Sequence, residues 1–443
     1  MAQAPTSDGH RVRRAAARSP ARSFDTVAAI MSVTPCSSAP LHLRATTATS
    51  CLGAGLAAQR AALHANRCGL APCAFDIVDL PTWIGAVPGV DAVELPSSLH
   101  AFDCRNNRLA ELALRQDDFA AAVADAIARH GATRVGLFVG TSTSGILQTE
   151  QAYRARDAHG ALPADFNYAG SHSAASLAAF LRARLGLRGP VSVTSSACSS
   201  SAKVFASAQR MMAVGLIDCA VVGGVDSLCL TTLYGFNSLE LLSATPCRPF
   251  DAARNGLSLG EAAAFVLLER LPAAPAPDDV LLLGAGESSD AYHMSSPHPE
   301  GLGARLAMQA ALTQAGLQPE QIDYINLHGT ATPSNDAAEG RAVGALFGPA
   351  TACSSTKGAT GHTLGAAGGI EAVFSLLALR DGLIPGSPGT ATLDPAIAGA
   401  DRLDYRITPR AARVRHVLSN SFGFGGTNCS LVLGRADAWS APR

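Results

Sequence analysis

Only two lysines occur in the 443 residues, Lys203 and Lys357, against 32 arginines (34 basic residues less those two). Charge of either sign is scarce: Asp, Glu, Lys and Arg make up 16% of the chain, and the formal net charge is −1. That excludes a global pull toward nucleic acid or an anionic membrane surface, so an acidic partner has to be met by a local basic patch. No apolar run reaches the roughly 18 residues that a membrane-spanning helix needs. The 11 cysteines contain no C-x-x-C pair, and Cys68 and Cys73 have no matching histidine cluster. This speaks against a disulfide framework or a structural zinc and for reduced thiols in a cytoplasmic protein, mostly acting as small buried hydrophobes.

What is present points to a large packed interior. Hydrophobic residues make up 48% of the chain and glycines number 42, enough for two domains or one duplicated domain with many tight turns. Residues 1–30 stand apart. They carry Arg11, Arg13, Arg14, Arg18 and Arg22 with few acids and read as a disordered extension rather than a transit peptide, because no h-region is present. Beyond them, short β-branched runs (134–140, 191–196, 219–225, 263–269, 324–329, 417–423) alternate with Ala/Leu-rich helical stretches (117–130, 173–185, 199–214, 303–316, 335–347, 366–381), which predicts α/β layers. A strand leading into Cys198 and an Ala/Ser-rich helix is echoed later by a short run leading into Lys357, His362 and an Ala/Gly-rich helix. Both helices are poor in charge and are expected to lie buried between layers. The halves meet near the Pro/Ala segment 271–279, giving expected domains of 31–275 and 276–437.

Four side chains in Gly/Ser/Thr-rich turns suggest chemistry. Cys198 in TSSACSSS follows a strand and opens a helix, where a thiol pKa can fall from about 8.5 toward roughly 3.5–7.5. His328 in NLHGTAT and His362 in STKGATGHT are placed to aim two neutral imidazoles at one substrate oxygen. Lys357 precedes His362 by five residues. In a chain so rich in Arg and Ala, as a GC-rich coding sequence would give, a retained lysine suggests a place where a compact ammonium does what a guanidinium cannot. Lys357 and Glu339 are candidates to support the two imidazoles from behind. SNSFGFGGTN (419–428) reads as a glycine loop between strands, without the helix and lysine of a phosphate cradle.

In this order, Cys, His, Lys, His and GFGGTN resemble the β-ketoacyl-acyl carrier protein synthases, the elongating I/II type of condensing enzyme, from about residue 40 to 436. The resemblance implies a thiolase-like five-layer αβαβα fold built from two similar halves, a homodimer, and no cofactor beyond the phosphopantetheine that arrives on the acyl carrier protein. It implies that Cys198 accepts the acyl chain, that His328 and His362 stabilise the enolate of the decarboxylating malonyl unit, and that Lys357, paired with Glu339, holds the His328 region. It further implies an oxyanion hole from the backbone N–H groups of Cys198 and Phe424, with Phe424 as gate. Thr330 and Thr332 match pantetheine-contacting threonines, and Phe236 and, across an alignment gap, Thr143 match acyl-pocket positions. Arg105 and Arg108 sit i,i+3 on a helix like the family's carrier-docking helix. One stretch departs from the family pattern: Asn255, Leu257 and Ser258 stand where Asp, Phe and Val are usual, and 260–264 reads GEAAA. That puts in doubt a simple equation with the housekeeping fatty-acid enzyme and leaves polyketide or aryl-polyene elongation open. A non-elongating, chain-length-setting partner subunit of a condensing heterodimer is the alternative, and the presence of Cys198 argues against it. The initiating synthases resemble a Cys-His-Asn set instead, and the thiolases carry a second cysteine; Cys429 reads as a strand residue.

Overall fold

Two runs of five strands carry the same pairing. A computed structural model describes residues 39–397 and 403–439; the extension expected over 1–30 lies outside them. The first run is β1 (Leu41–Ser50), β2 (Val135–Gly140), β3 (Val191–Thr194), β4 (Cys219–Asp226) and β5 (Ala262–Arg270). The second is β6 (Val280–Ser289), β7 (Tyr324–Asn326), β8 (Ala352–Ser354), β9 (His416–Gly423) and β10 (Thr427–Arg435). The spatial orders are β3-β2-β4-β5-β1 and β8-β7-β9-β10-β6. In each, the first three strands of that order pair in parallel and the remaining pairings are antiparallel. The two sheets touch where β1 meets β6, through Leu41 opposite Leu282 and His42 opposite Leu281. β2 and β4 are buried at every position, as expected of strands covered on both faces.

The principal helices are α1 (Arg105–Leu114), α2 (Phe119–His130), α3 (Ala175–Leu185), α4 (Ser200–Ala213), α5 (Leu302–Ala315), α6 (Pro333–Phe347) and α7 (Ala367–Asp381). α1, α2 and α3 cover the outer face of the first sheet, and α5 and α6 cover that of the second. α4 and α7 lie between the sheets. The layers therefore run αβαβα, the thiolase-like architecture. α7 is buried from Ala367 through Leu379, which explains why its sequence lacks a polar face. Its crossing with α4 demands a glycine, since a Cβ on Gly368 would lie 2.6 Å from the backbone nitrogen of Ala202.

This architecture delivers the reactive loops to one place. Cys198 lies between β3 and α4, at the joint of the first half. His328 follows β7, His362 precedes α7, and Phe424 sits in the turn between β9 and β10, all in the second half.

Candidate active site

The nucleophile candidate is held on a tight elbow. Ala197 takes a left-handed conformation with φ 52°, a conformation that costs a non-glycine residue free energy and clusters at functional sites. It turns the chain so that the Cys198 thiol leaves the strand direction just before α4. Cys198 is buried, and its Sγ lies 2.9 Å from His362 Nε2. The N–H of Phe424 also reaches the thiol. The His328 and His362 rings meet edge to face with centroids 5.3 Å apart.

Hydrogen bonds set the tautomers of both rings. Lys357 Nζ, which as an ammonium only donates, lies 3.3 Å from His328 Nδ1. The backbone N–H of Leu364 lies 3.3 Å from His362 Nδ1. Each Nδ1 therefore accepts, and each neutral ring carries its proton on Nε2. The rings are neutral because burial, reinforced by the Lys357 charge, drives both imidazoles well below their usual range. For the same reason of burial the Cys198 thiol is not depressed, as its place before a helix suggested. It is pushed up to about 11, against the opposing pull of Lys357 and the Phe424 N–H. The resting site is a thiol accepting a hydrogen bond from His362 Nε2–H, not a free thiolate.

Lys357 does not pair with Glu339, which corrects the reading from sequence. Its ammonium lies 2.5 Å from Glu371 Oε1, and both groups are buried. Glu371 is the acid that the sequence reading missed. A lone carboxylate within the apolar stretch of α7 was its signal, because a buried charge needs a partner. Glu339 instead anchors main chain. It accepts the backbone N–H of His328 at 2.8 Å and of Gly329 at 2.7 Å, and the Asn420 amide at 3.1 Å. Burial pushes both carboxyls up to about 7 against these partners. His328 is thus fixed twice, its main chain by Glu339 and its ring by Lys357.

A narrow cavity opens onto the thiol. Phe236, Thr330, Thr332, Leu257 and Phe424 line it together with Cys198, His328 and His362. The Thr330 and Thr332 hydroxyls are 2.9 Å apart, and the Phe236 and Phe424 rings pack against each other in its wall with centroids 5.6 Å apart. Its free volume of about 40 Å³ is room for a water or two. The Phe424 turn rests on the segment after β6, with Gly425 N–H on Met294 C=O at 2.9 Å and Asp290 N–H on Gly426 C=O at 2.8 Å.

Two expected placements fail. Thr143 is buried away from the cavity, its hydroxyl 2.9 Å from an Asp226 oxygen. Arg105 is 6% exposed, because its guanidinium pairs with buried Glu261 at 2.6 Å and with Asp91 at 2.5 Å, so it offers no free charge to a carrier. Arg108 remains partly exposed but is engaged with Asp103 at 2.6 Å.

Cys198, His328 and His362 also place three metal-ligand atoms within 4.8 Å of one another. A metal would need the thiolate and would sit beside the Lys357 ammonium, so the surroundings oppose a resident cation.

The protein's relatives share its domains and its fold. Residues 107–274 match the N-terminal domain of β-ketoacyl synthases and residues 280–390 the C-terminal domain. A β-ketoacyl synthase from Burkholderia phymatum superposes with a TM-score of 0.79 at 30% identity, over 90% of this chain and 100% of that one. A ketosynthase in complex with its chain length factor, from Xenorhabdus doucetiae, gives a TM-score of 0.81 at 38% identity over 90% and 98%. In sequence, 3-oxoacyl-[acyl-carrier-protein] synthase 2 of Rhizobium meliloti (strain 1021) is 43% identical over 267 residues, 56% of this chain and 62% of that protein. The mitochondrial 3-oxoacyl-[acyl-carrier-protein] synthase of Arabidopsis thaliana is 40% identical over 56% and 57%. These alignments span less than two thirds of the curated relatives. With both domain models matched in order, the duplicated sheets, and full-length structural relatives at 30% identity and above, the chain belongs to the β-ketoacyl synthase family.

Proposed function

We propose that the chain is an elongating β-ketoacyl-acyl carrier protein synthase, joining an acyl group held on Cys198 to a malonyl unit on acyl carrier protein. The observation that carries this reading is the convergence on one cavity of the Cys198 thiol, two imidazole Nε2–H groups and the Phe424 N–H. In the first step the Cys198 sulfur attacks the carrier thioester; the new C–S bond forms as the carrier's C–S bond breaks, and the thiol proton ends on the departing pantetheine sulfur. His362 Nε2–H stabilises negative charge building on Sγ during attack. In the second step the malonyl carboxylate leaves as CO₂, and the enolate oxygen accepts hydrogen bonds from His328 and His362. The enolate carbon attacks the acyl thioester, and the backbone N–H groups of Cys198 and Phe424 receive the oxyanion. As the carbonyl re-forms, the C–S bond to Cys198 breaks and its sulfur takes up a proton from solvent, the one proton that the decarboxylative step consumes. Proton-transfer groups that are neutral near pH 7 suit this cycle, because donors rather than cations face the enolate.

The closed cavity requires Phe424 and Phe236 to part before an acyl chain enters, which supports a gating role for Phe424. Thr330 and Thr332 offer their hydroxyls to the pantetheine amides. Leu257 puts the departure from the family pattern into the cavity wall, where it bears on which chain is accepted, in fatty acid or polyketide-type elongation. The outer edge of the first sheet ends in β3, whose Val191 is 36% exposed. This edge suits pairing with a second copy or with a related chain-length-setting subunit. No described helix is long and apolar enough to cross a membrane.

The test supplies acyl- and malonyl-loaded carrier protein and follows CO₂ release and β-ketoacyl product. Condensation by the native chain and none by Cys198→Ala, with CO₂ still released, supports the reading. Absence of product from the native chain overturns it.

A further inference from the structure

We infer that Asp226, at the C-terminal end of β4, is a positioning residue that holds the His362 loop so that Nε2–H faces Cys198. This rests on the condensing reading of the site. Asp226 touches no part of the cavity and does not appear among the residues expected to act. It is buried, and its carboxylate collects donors from two loops.

Oδ1 accepts the Thr141 hydroxyl at 2.7 Å, the Ser142 N–H at 2.8 Å, the Thr143 N–H at 2.8 Å and the Thr143 hydroxyl at 2.9 Å. Successive backbone N–H groups around an anion form a nest, and with donors on every side the group is satisfied as a carboxylate. Oδ2 accepts the Gly365 N–H at 2.5 Å and shares the Ser142 N–H at a longer 3.0 Å. Gly365 lies three residues beyond His362, across a turn in which Leu364 is left-handed with φ 52°. Leu364 supplies the N–H on His362 Nδ1 that keeps the ring proton on Nε2. The carboxylate thus ties down the strained turn, the turn orients the Leu364 N–H, and that N–H selects the tautomer that meets the Cys198 sulfur at 2.9 Å. A second arm reaches the nucleophile: the Ser142 hydroxyl donates to the Ala197 carbonyl at 3.3 Å, beside the left-handed elbow. The expected but misplaced Thr143 finds its use here, as a donor in the nest.

Asp226→Asn separates positioning from folding. The amide oxygen can still accept from the nest at the Oδ1 position, the Ser142 N–H included at 2.8 Å. The amide nitrogen confronts the Gly365 N–H and displaces the longer Ser142 contact at 3.0 Å, so the tie to the His362 turn is the bond lost outright. In full-length protein labelled with ¹⁵N-histidine, with His362→Asn assigning the signal, native His362 is expected to show the Nε2–H tautomer. The Asp226→Asn protein is expected to show a mixed or reversed tautomer, and its condensation rate should fall by about tenfold or more, the scale of losing a hydrogen bond to a charged group. A native His362 tautomer in the variant, or condensation at the native rate, would overturn the inference. If Asp226→Asn fails to fold, Thr143→Val removes one nest donor and is expected to give a smaller loss with the same tautomer mixing; an unmixed tautomer there counts equally against it. If the native chain itself does not condense, it is the reading of the function that fails, since the tautomer is observed without turnover.

Discussion

Replacing Lys357 by Met separates what the buried ion pair does for the fold from what it does for His328. In the native chain Lys357 and Glu371 are both buried, 2.5 Å apart, and the same ammonium lies 3.3 Å from His328 Nδ1. Lys357→Met leaves the Glu371 carboxylate without its partner, and breaking one side of a buried pair costs about 3–5 kcal/mol. Adding Glu371→Leu removes the orphaned charge, and replacing a buried pair by apolar residues of similar volume is neutral or even stabilising. Urea unfolding should therefore show a large loss in the single variant and recovery in the double variant. Activity is expected to follow the other course. Without the ammonium, nothing compels His328 Nδ1 to accept, so Nε2 no longer reliably presents a proton to the enolate. The decarboxylation rate should be low in both variants, by up to the 10²–10³ that loss of one oxyanion donor costs. The pH profile carries a sign. Lys357 is one of the causes that hold the His328 imidazole low, so its removal moves that imidazole upward. The loss of activity on acidification should then set in at higher pH than in the native chain. Return of decarboxylation with stability in the double variant would refute the role given to Lys357.

The remaining expectations follow the same geometry. Cys198→Ala should abolish condensation while CO₂ release from malonyl-carrier protein persists, as measured by product and gas separately. His328→Ala should lower decarboxylation by about 10²–10³ in single-turnover assays. Lys357→Arg should be poorly active, since a wide planar guanidinium does not fill the compact site between His328 and Glu371. Arg105→Ala should cost about 3–5 kcal/mol in urea unfolding by stranding Glu261, whereas Arg108→Glu should change stability little and raise the KM for carrier-bound substrate at low salt if this helix meets the carrier. Gly368→Val should destabilise by about 1–3 kcal/mol or more through overpacking against α4.

Much of the frame was legible because its signals are local. The apolar runs that became β2 and β4 read as strands, and the helical stretch 366–381 read as buried because it is poor in charge. The reactive residues were legible because each stands in a turn whose composition has no packing purpose. What escaped depends on contacts distant in the chain. β6 was missed because Gly284 and Gly286 interrupt VLLLGAGESS, yet those glycines let α5 lie against the strand: a Cβ on Gly286 would sit 2.0 Å from the Ala307 carbonyl oxygen. Arg105 and Arg108 share a helix spacing that suggested one basic face. Glu261, 156 residues further on, claims the first of them for the interior, and no local pattern announces that. Glu339 was the expected partner of Lys357 and Glu371 was missed; only the packing of α7 against the Lys357 loop brings Glu371 to the ammonium. The thiol was expected to be acidic from its place before a helix, and burial outweighs that influence in the closed site.

The central claim is that Cys198 carries the acyl chain between two carriers. Mass spectrometry of the Cys198 peptide after mixing the protein with acyl-carrier protein tests it most directly, followed by a chase with malonyl-carrier protein. The expected result is an acyl adduct on Cys198 that decays as β-ketoacyl-carrier protein appears. Product formed with no adduct on Cys198, or an adduct that survives the chase unchanged, would contradict it.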